Sequence, residues 1–197
     1  MPSPVFSSNI KRLSRQQPEF GQRPITIGPI VDFQPYYSVI NMYDVQSWYR
    51  DEIWGKRALS DDALFEVMSL QVFQAGLNWQ MILDKRDAFR SAFCSWSIEA
   101  VASFDLQDIE ILLNNKDIIR NRLKIRSAVY NARAILAIQA EYGSFCAWFY
   151  DVLDLSDYPS LQRILKKSFS FMGPEIARMW LLASGRISPK EGAKYEP

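Results

Sequence analysis

The sequence predicts an all-α fold, and three observations lead to that prediction. Apolar residues recur at helical spacing through most of the chain after about residue 44. Ser, Asp and Gly stand where these segments begin and end, as helix caps do. Sustained polar–apolar alternation with hairpin turns, the pattern of half-buried strands, is not found in the sequence. With 197 residues, 48% of them hydrophobic, the chain is long enough for one well-filled core.

Residues 1–36 differ from the rest of the chain. They are rich in proline and serine and contain four basic residues against two acids. Such a segment buries little surface, so we expect an extended or flexible arm, a helical domain over residues 37–190 and a short tail over 191–197. The arm suits either contact with a phosphate backbone or a role as an organelle-targeting leader, which is also basic and serine-rich.

The first long helix runs through LSDDALFEVMSLQVFQAG. Ser60 is its expected N-cap, Asp61 and Asp62 occupy the first turn, where the helix dipole favours negative charge, and Gly76 ends it. A second helix is predicted over residues 80–93 from its apolar side. Four further helices are predicted at DLQDIEILLNN from Asp105, NRLKIRSAVYNARAILAIQAEYG to Gly143, SFCAWFYDVL from Ser144, and SLQRILKK from Ser160.

The segment SFSFMGPEIARMW predicts a helix, a tight hairpin and a second helix. Lys166 and Lys167 end the first helix, Gly173 follows a short apolar turn, and Pro174 stands at the first position of the next helix. Free backbone N–H groups at that N-terminus, with lysines nearby, suit a DNA phosphate. A purely structural helix turn is the alternative.

The chain contains no histidine, which excludes several classes of active site. Catalytic triads with an imidazole base and zinc sites of the HExxH type are impossible. Cys94 and Cys146 stand far apart and flank no second pair, so we interpret them as reduced thiols that pack as small hydrophobic residues. No metal site and no cofactor is therefore predicted.

Several segments together resemble one family, the type I DNA-3-methyladenine glycosylases of the helix-hairpin-helix group. The resemblance covers about residues 44–186, in the family's order. It is carried by YRDEIWG, DDALFE, QAGLNW, ILDKRDAFRSAF, IIRNRLKI, NARA, GSF and LKKSFSFMGP.

The resemblance implies an enzyme of base-excision repair. Such an enzyme binds alkylated double-stranded DNA, turns a 3-methyladenine out of the duplex and hydrolyses its N-glycosidic bond. It further implies a monomer in the bacterial cytoplasm, associated with the nucleoid and not with a membrane. A non-catalytic protein that binds damaged DNA is the alternative function.

The resemblance also assigns candidate site residues. Trp79 matches the tryptophan on which the base stacks, and Tyr49 matches a tyrosine that hydrogen-bonds the base; both residue types are also common in cores. Arg120, Arg122 and Lys124 are candidates for phosphate contact, with a solvated helix face as the alternative.

The chain departs from the family pattern at two functional positions. Arg50 replaces a zinc-binding histidine, and the family's other zinc ligands are also missing, so the zinc that joins the two termini is expected to be absent. Gln71 replaces the glutamate that contacts the methylated base. An amide fills the same space without a negative charge, so we predict reduced catalysis. Asp51 and, less well placed, Glu66 are candidate substitute carboxylates.

Overall fold

The computed structural model describes residues 45–196, and all regular secondary structure in that range is helical, which confirms the all-α prediction. The arm predicted over residues 1–36 lies outside the described residues. None of the described helices is long and apolar enough to cross a membrane. The helices are α1 Val45–Trp48, α2 Asp61–Gln74, α3 Trp79–Asp84, α4 Arg86–Ala92, α5 Ile98–Ser103, α6 Leu106–Asn114, α7 Arg122–Tyr142, α8 Phe145–Ala147, α9 Tyr158–Ser168, α10 Pro174–Ala183 and α11 Pro189–Gly192.

Helix α2 is the central element of the described domain. All of residues 64–73 are buried, so the helix is enclosed on every side rather than along one face. Ser60 caps it by accepting a hydrogen bond from the Ala63 N–H, which confirms the predicted start. Gln71 is thereby fixed inside the protein.

Most of the other predicted boundaries are also confirmed. Asp105 caps α6, Gly143 ends α7 in the left-handed conformation, and Ser144 caps α8. Helix α8 continues into a π-helical turn, Trp148–Val152. Pro174 opens α10 directly after Gly173, as predicted.

Two of the predicted boundaries are wrong. Residues 80–93 do not form one helix, because the chain bends at Lys85, whose N–H bonds the carbonyls of both Ile82 and Leu83. Ser160 does not cap α9. The Asp157 carboxylate accepts from the Ser160 N–H at 3.2 Å, so the cap lies three residues earlier than predicted. Pro159, which has no N–H to satisfy, fits the first turn of the helix.

Asp61 joins the start of α2 to the junction between α7 and α8. Its carboxylate accepts hydrogen bonds at 2.7 to 2.8 Å from the Gln139 side chain, the Ser144 hydroxyl and the N–H groups of Phe145 and Cys146. Partial burial raises the pKa of Asp61, but these bonds outweigh burial and lower the pKa from 3.8 to about 2.

The segment before α2 is fastened to the end of α10 by backbone contacts. The Gly55 N–H donates to the Ala183 carbonyl at 3.0 Å. Gly185 has a φ of +66°, and a Cβ at this position would lie 2.5 Å from the Gly55 carbonyl oxygen. The Tyr150 hydroxyl accepts from the Ala58 N–H and donates to the Ser184 carbonyl. The close approach of Gly185 to the Gly55 carbonyl therefore requires glycine at position 185.

Replacing Asp61 by asparagine is expected to destabilise the fold by about 1–3 kcal/mol at neutral pH, because the new amide group faces two donors that it cannot satisfy. Since the folded pKa lies below the ordinary value, the carboxylate's contribution is complete above about pH 4 and is lost as the pH falls towards 2. Urea unfolding of both proteins across that range measures the difference.

Asp117→Asn is the matched control, because the Asp117 carboxylate is exposed and accepts no hydrogen bond from a described residue. An Asp61→Asn effect as small as the control's, or one that grows on acidification, would contradict this role.

Candidate active site

A cavity of about 410 Å³ lies beside α2 and contains three of the predicted site residues, Tyr49, Gln71 and Trp79. They come from three separate segments of the sequence. A cavity of this size and largely apolar lining is typical of a site for a small organic ligand. The described lining comprises Tyr49, Trp54, Trp79, Leu83, Met179, the amides Gln46, Gln71 and Gln74, and Arg50.

The rings of Tyr49 and Trp79 form one continuous wall of the cavity. Their centroids are 4.7 Å apart and their planes differ by 60°. Because stacked atoms approach to about 3.5 Å, a base between two facing rings requires about 7 Å. The two rings are therefore in contact with each other and leave no room for a base between them. Because their planes differ by 60°, a flat base stacks on the face of only one of the rings.

Local structure fixes both rings. Tyr49 begins a π-helical turn, Tyr49–Ile53, closed by a hydrogen bond from the Trp54 N–H to the Tyr49 carbonyl. Trp79 is the first residue of α3, where Asn78 is the N-cap and accepts from the Gln80 N–H at 2.8 Å.

Gln71 contacts Tyr49 directly. Its Nε2 donates to the Tyr49 hydroxyl at 3.1 Å, and both side chains are buried. Burial raises the pKa of Tyr49, and the Gln71 bond only partly opposes the rise, so the phenol stays protonated at neutral pH. Gln71 Oε1 receives no hydrogen bond from a described residue.

The two candidate substitute carboxylates lie outside the described cavity lining. Asp51 is exposed and binds Arg50 at 2.8 Å, and this hydrogen bond lowers the pKa of the Asp51 carboxyl. A carboxyl held ionised in this way is a poor proton donor. Glu66 binds Arg90 at 2.5 Å and Arg86 at 3.4 Å on the other side of α2 from Gln71.

An interaction that the sequence did not predict supports the tyrosine. The Arg86 guanidinium lies 3.6 Å from the centre of the Trp48 ring. Trp48 directly precedes Tyr49 in the chain. Arg86 is in turn held by Glu66. The Trp-Tyr pair and the basic ILDKRDAF segment were visible in the sequence, but nothing there indicated that they meet.

Lys124 does not lie on the DNA-facing surface where it was predicted. It is 5% exposed, and its ammonium donates to the carbonyls of Phe73 and Ala75 at 2.9 and 2.6 Å. These carbonyls belong to the end of α2, where backbone acceptors lack partners within the helix. The ammonium therefore caps α2 and is not available to a phosphate.

Arg120 and Arg122 are exposed, but their surroundings differ. Arg122 makes two hydrogen bonds to the Glu110 carboxylate, at 2.5 and 3.2 Å. Arg120 makes no hydrogen bond or ion pair with a described residue. Of the three cations in the IIRNRLKI segment, Arg120 is the one best suited to bind a phosphate.

Lys166, Lys167 and Gly173 flank the turn between α9 and α10, where the sequence predicted a hairpin. Both lysines are exposed at the end of α9, and Gly173 precedes α10 without a side-chain cap. Asn131 of α7, buried to 1% exposure, accepts from the Ser170 N–H at 2.7 Å and donates to the Ser170 carbonyl at 3.2 Å. Asn131, part of the NARA motif, is thus a positioning residue that sequence reasoning missed.

Helix α10 connects the hairpin to the cavity. Its N-terminus forms one side of the hairpin, and Met179, five residues after Pro174, lines the cavity. A polyanion bound at the hairpin is therefore held by the same rigid element that forms part of the cavity wall.

The side chains present do not fit the zinc site that the family resemblance implies. The chain has no histidine, and no three cysteine or acidic side chains within residues 45–196 converge closely enough to hold a metal ion.

Lys124→Met is expected to destabilise the protein by about 1–3 kcal/mol, because two carbonyls at the end of α2 lose their donor. Arg120→Met, an exposed substitution in the same segment, is expected to leave stability within about 0.5 kcal/mol. Thermal and urea unfolding measure both. An unchanged stability of Lys124→Met would mean that its ammonium does not cap the helix.

The chain matches the family model for methyladenine glycosylase over residues 40–192. The DNA-3-methyladenine glycosylase of Haemophilus influenzae is 32% identical over 157 residues, which are 71% of this chain and 85% of that protein. A crystal structure of a 3-methyladenine DNA glycosylase I has a TM-score of 0.66 at 29% identity and covers 77% of this chain and 93% of that one.

The Staphylococcus aureus enzyme, whose structure concerns 3-methyladenine recognition, has a TM-score of 0.64 at 30% identity. That match covers 73% of this chain and 86% of the S. aureus chain. Sequence, family model and fold agree over most of the helical domain, and the protein is thus a member of the methyladenine glycosylase family.

Proposed function

We propose that the protein is a DNA repair glycosylase that hydrolyses the N-glycosidic bond of a flipped-out 3-methyladenine in alkylated double-stranded DNA. The observation that carries the proposal is the cavity in which Tyr49, Trp79 and Gln71 meet, in a chain of this family. The named relatives are 3-methyladenine glycosylases, which supports the same lesion here.

The chemistry requires little covalent participation from the protein. When the bond between the base and the sugar breaks, its electron pair stays on the methylated base, which loses its positive charge. The sugar becomes a cation that water attacks, and the water's proton goes to solvent. The protein accelerates this step by binding the flipped base in a state close to the separated one.

The cavity provides stacking and hydrogen bonding for that purpose. The ring wall of Tyr49 and Trp79 stabilises a cationic base by about 0.5–2 kcal/mol per ring face. The protonated Tyr49 hydroxyl accepts from Gln71, so its own hydrogen remains available to an acceptor on the base.

Gln71 limits the rate in this proposal. The described cavity lining contains no carboxylate to stabilise the cationic sugar or to orient water. Loss of such a group typically costs about 10²- to 10⁴-fold in rate, so we infer slow excision.

DNA is bound through the hairpin. The N–H groups at the start of α10 donate hydrogen bonds to a phosphate, and the exposed Lys166 and Lys167 add positive charge. We infer that the protein works as a monomer in the bacterial cytoplasm at the nucleoid. For residues 1–36 we propose contact with the phosphate backbone, and organelle import of a fusion to these residues would instead identify a leader.

A second function is favoured by the lack of a carboxylate in the described cavity lining. A protein with this cavity and no carboxylate in its described lining binds a damaged base without cleaving it, and so shields the lesion or recruits other proteins. Tight binding to a duplex with an abasic-site analogue, with no release of base over long incubation, distinguishes this function from slow excision.

Release of 3-methyladenine from alkylated duplex DNA tests the proposed activity. We expect slow release by the natural sequence, faster release by Gln71→Glu by about 10²-fold or more, and loss of activity in Trp79→Ala, which removes part of the ring wall. Chromatography of the released bases gives the rates. No release by either the natural protein or Gln71→Glu, with both folded, would defeat the proposal.

The double variant Lys166→Ala, Lys167→Ala tests the DNA-binding surface. Removing two phosphate contacts is expected to weaken duplex binding and to lower the slope of log affinity against log salt by about two. The double variant Lys190→Ala, Lys194→Ala, with the same charge change at exposed positions near the C-terminus, is the control. Equal slopes in the two double variants would place the DNA elsewhere.

A further inference from the structure

The described lining of the cavity carries positive charge and no negative charge. Its polar members are the amides of Gln46, Gln71 and Gln74, and its one ionised member is Arg50. Asp51 pairs with Arg50 itself at 2.8 Å, and Glu66 pairs with Arg86 and Arg90, so both acids are engaged outside the described lining. A cation that enters this cavity leaves water without meeting a counter-charge in the described lining.

The polar pair at the buried end of the cavity complements an uncharged partner. Gln71 Nε2 donates to Tyr49, which leaves the tyrosine O–H as a donor and Gln71 Oε1 as an acceptor close to each other. A neutral purine with a ring nitrogen next to an amino group offers the matching acceptor and donor. Neither atom of the amide carries a charge, so the pair gives no advantage to a cationic base beyond that of the ring faces.

We propose that Gln71 is the specificity-determining residue of this cavity and makes it select an uncharged purine base over a cationic one. The inference rests on the proposed function, because it concerns the same base-binding site. It assigns to this chain tighter binding of the uncharged base that cleavage releases than of the cationic base in the intact lesion. A carboxylate at the same position would instead favour a methylated base that carries positive charge.

The test is binding of free bases to the full chain, followed by the fluorescence of the cavity tryptophans and by calorimetry. The ligands are 3-methyladenine, which is uncharged as a free base at neutral pH, and the 3,9-dimethyladeninium cation. Adenine and 9-methyladenine form a second pair that measures the effect of the added methyl group without a charge. The proteins are the natural sequence, Gln71→Glu, and Gln74→Glu as the matched control, which adds the same charge to another amide of the lining.

After correction for the methyl group, the natural protein is expected to bind the uncharged base at least about tenfold more tightly than the cation, because the cation loses its hydration without gaining a counter-charge in the described lining. Gln71→Glu abolishes or reverses this preference. A glutamate buried at this position ionises at a raised pKa, so the change increases from neutral to mildly alkaline pH. Gln74→Glu, which does not contact Tyr49, shifts the preference less.

Two results overturn the inference alone: equal or tighter binding of the cation by the natural protein, or an equal shift of preference in the two glutamate variants. A Gln71→Glu protein that keeps the natural preference at every pH would also overturn the inference. No binding of any base to any of the three folded proteins removes the base-binding site itself, and with it the proposed function.

Discussion

The candidate site depends on the hydrogen bond between Gln71 and Tyr49. One partner is locked in the buried helix α2, and the other begins a short turn at the edge of the described domain. The bond places the Tyr49 ring against Trp79, and the buried environment keeps the phenol protonated. With a glutamate at position 71, the tyrosine would donate to the carboxylate; with glutamine it accepts. One substitution therefore changes both the charge of the cavity and the direction of its central hydrogen bond.

That bond persists only if the turn that carries Tyr49 is held in place, and here contacts between backbone atoms contribute much of the attachment. Gly55 and Gly185 approach so closely that a side chain at position 185 would collide with the backbone at Gly55. Tyr150 bridges the two segments with its hydroxyl group. Where the family pattern implies a zinc ion joining the termini, we propose that this glycine contact and the tyrosine bridge perform the same mechanical task.

The sequence was sufficient to predict the helical fold, because caps and apolar spacing act locally. The family resemblance also singled out three residues that line the cavity, Tyr49, Gln71 and Trp79, but not the rest of its described lining. The sequence did not predict the fate of Lys124. A cation before a helix looks the same whether its stem extends into solvent or returns to cap a neighbouring helix, and only the fold places the end of α2 within its reach. The same holds for Asn131, since its partner at Ser170 lies 39 residues away in the chain.

The central claim is that an uncharged amide and a wall of two rings form a working base-binding site. A crystal structure of the protein soaked with 3-methyladenine tests it most directly. The base is expected to stack on the Trp79 ring, within hydrogen-bond distance of the Tyr49 hydroxyl, with its amino group within hydrogen-bond distance of Gln71 Oε1. Density for the base elsewhere, or a cavity closed by the side chains around it at saturating ligand, would contradict the account.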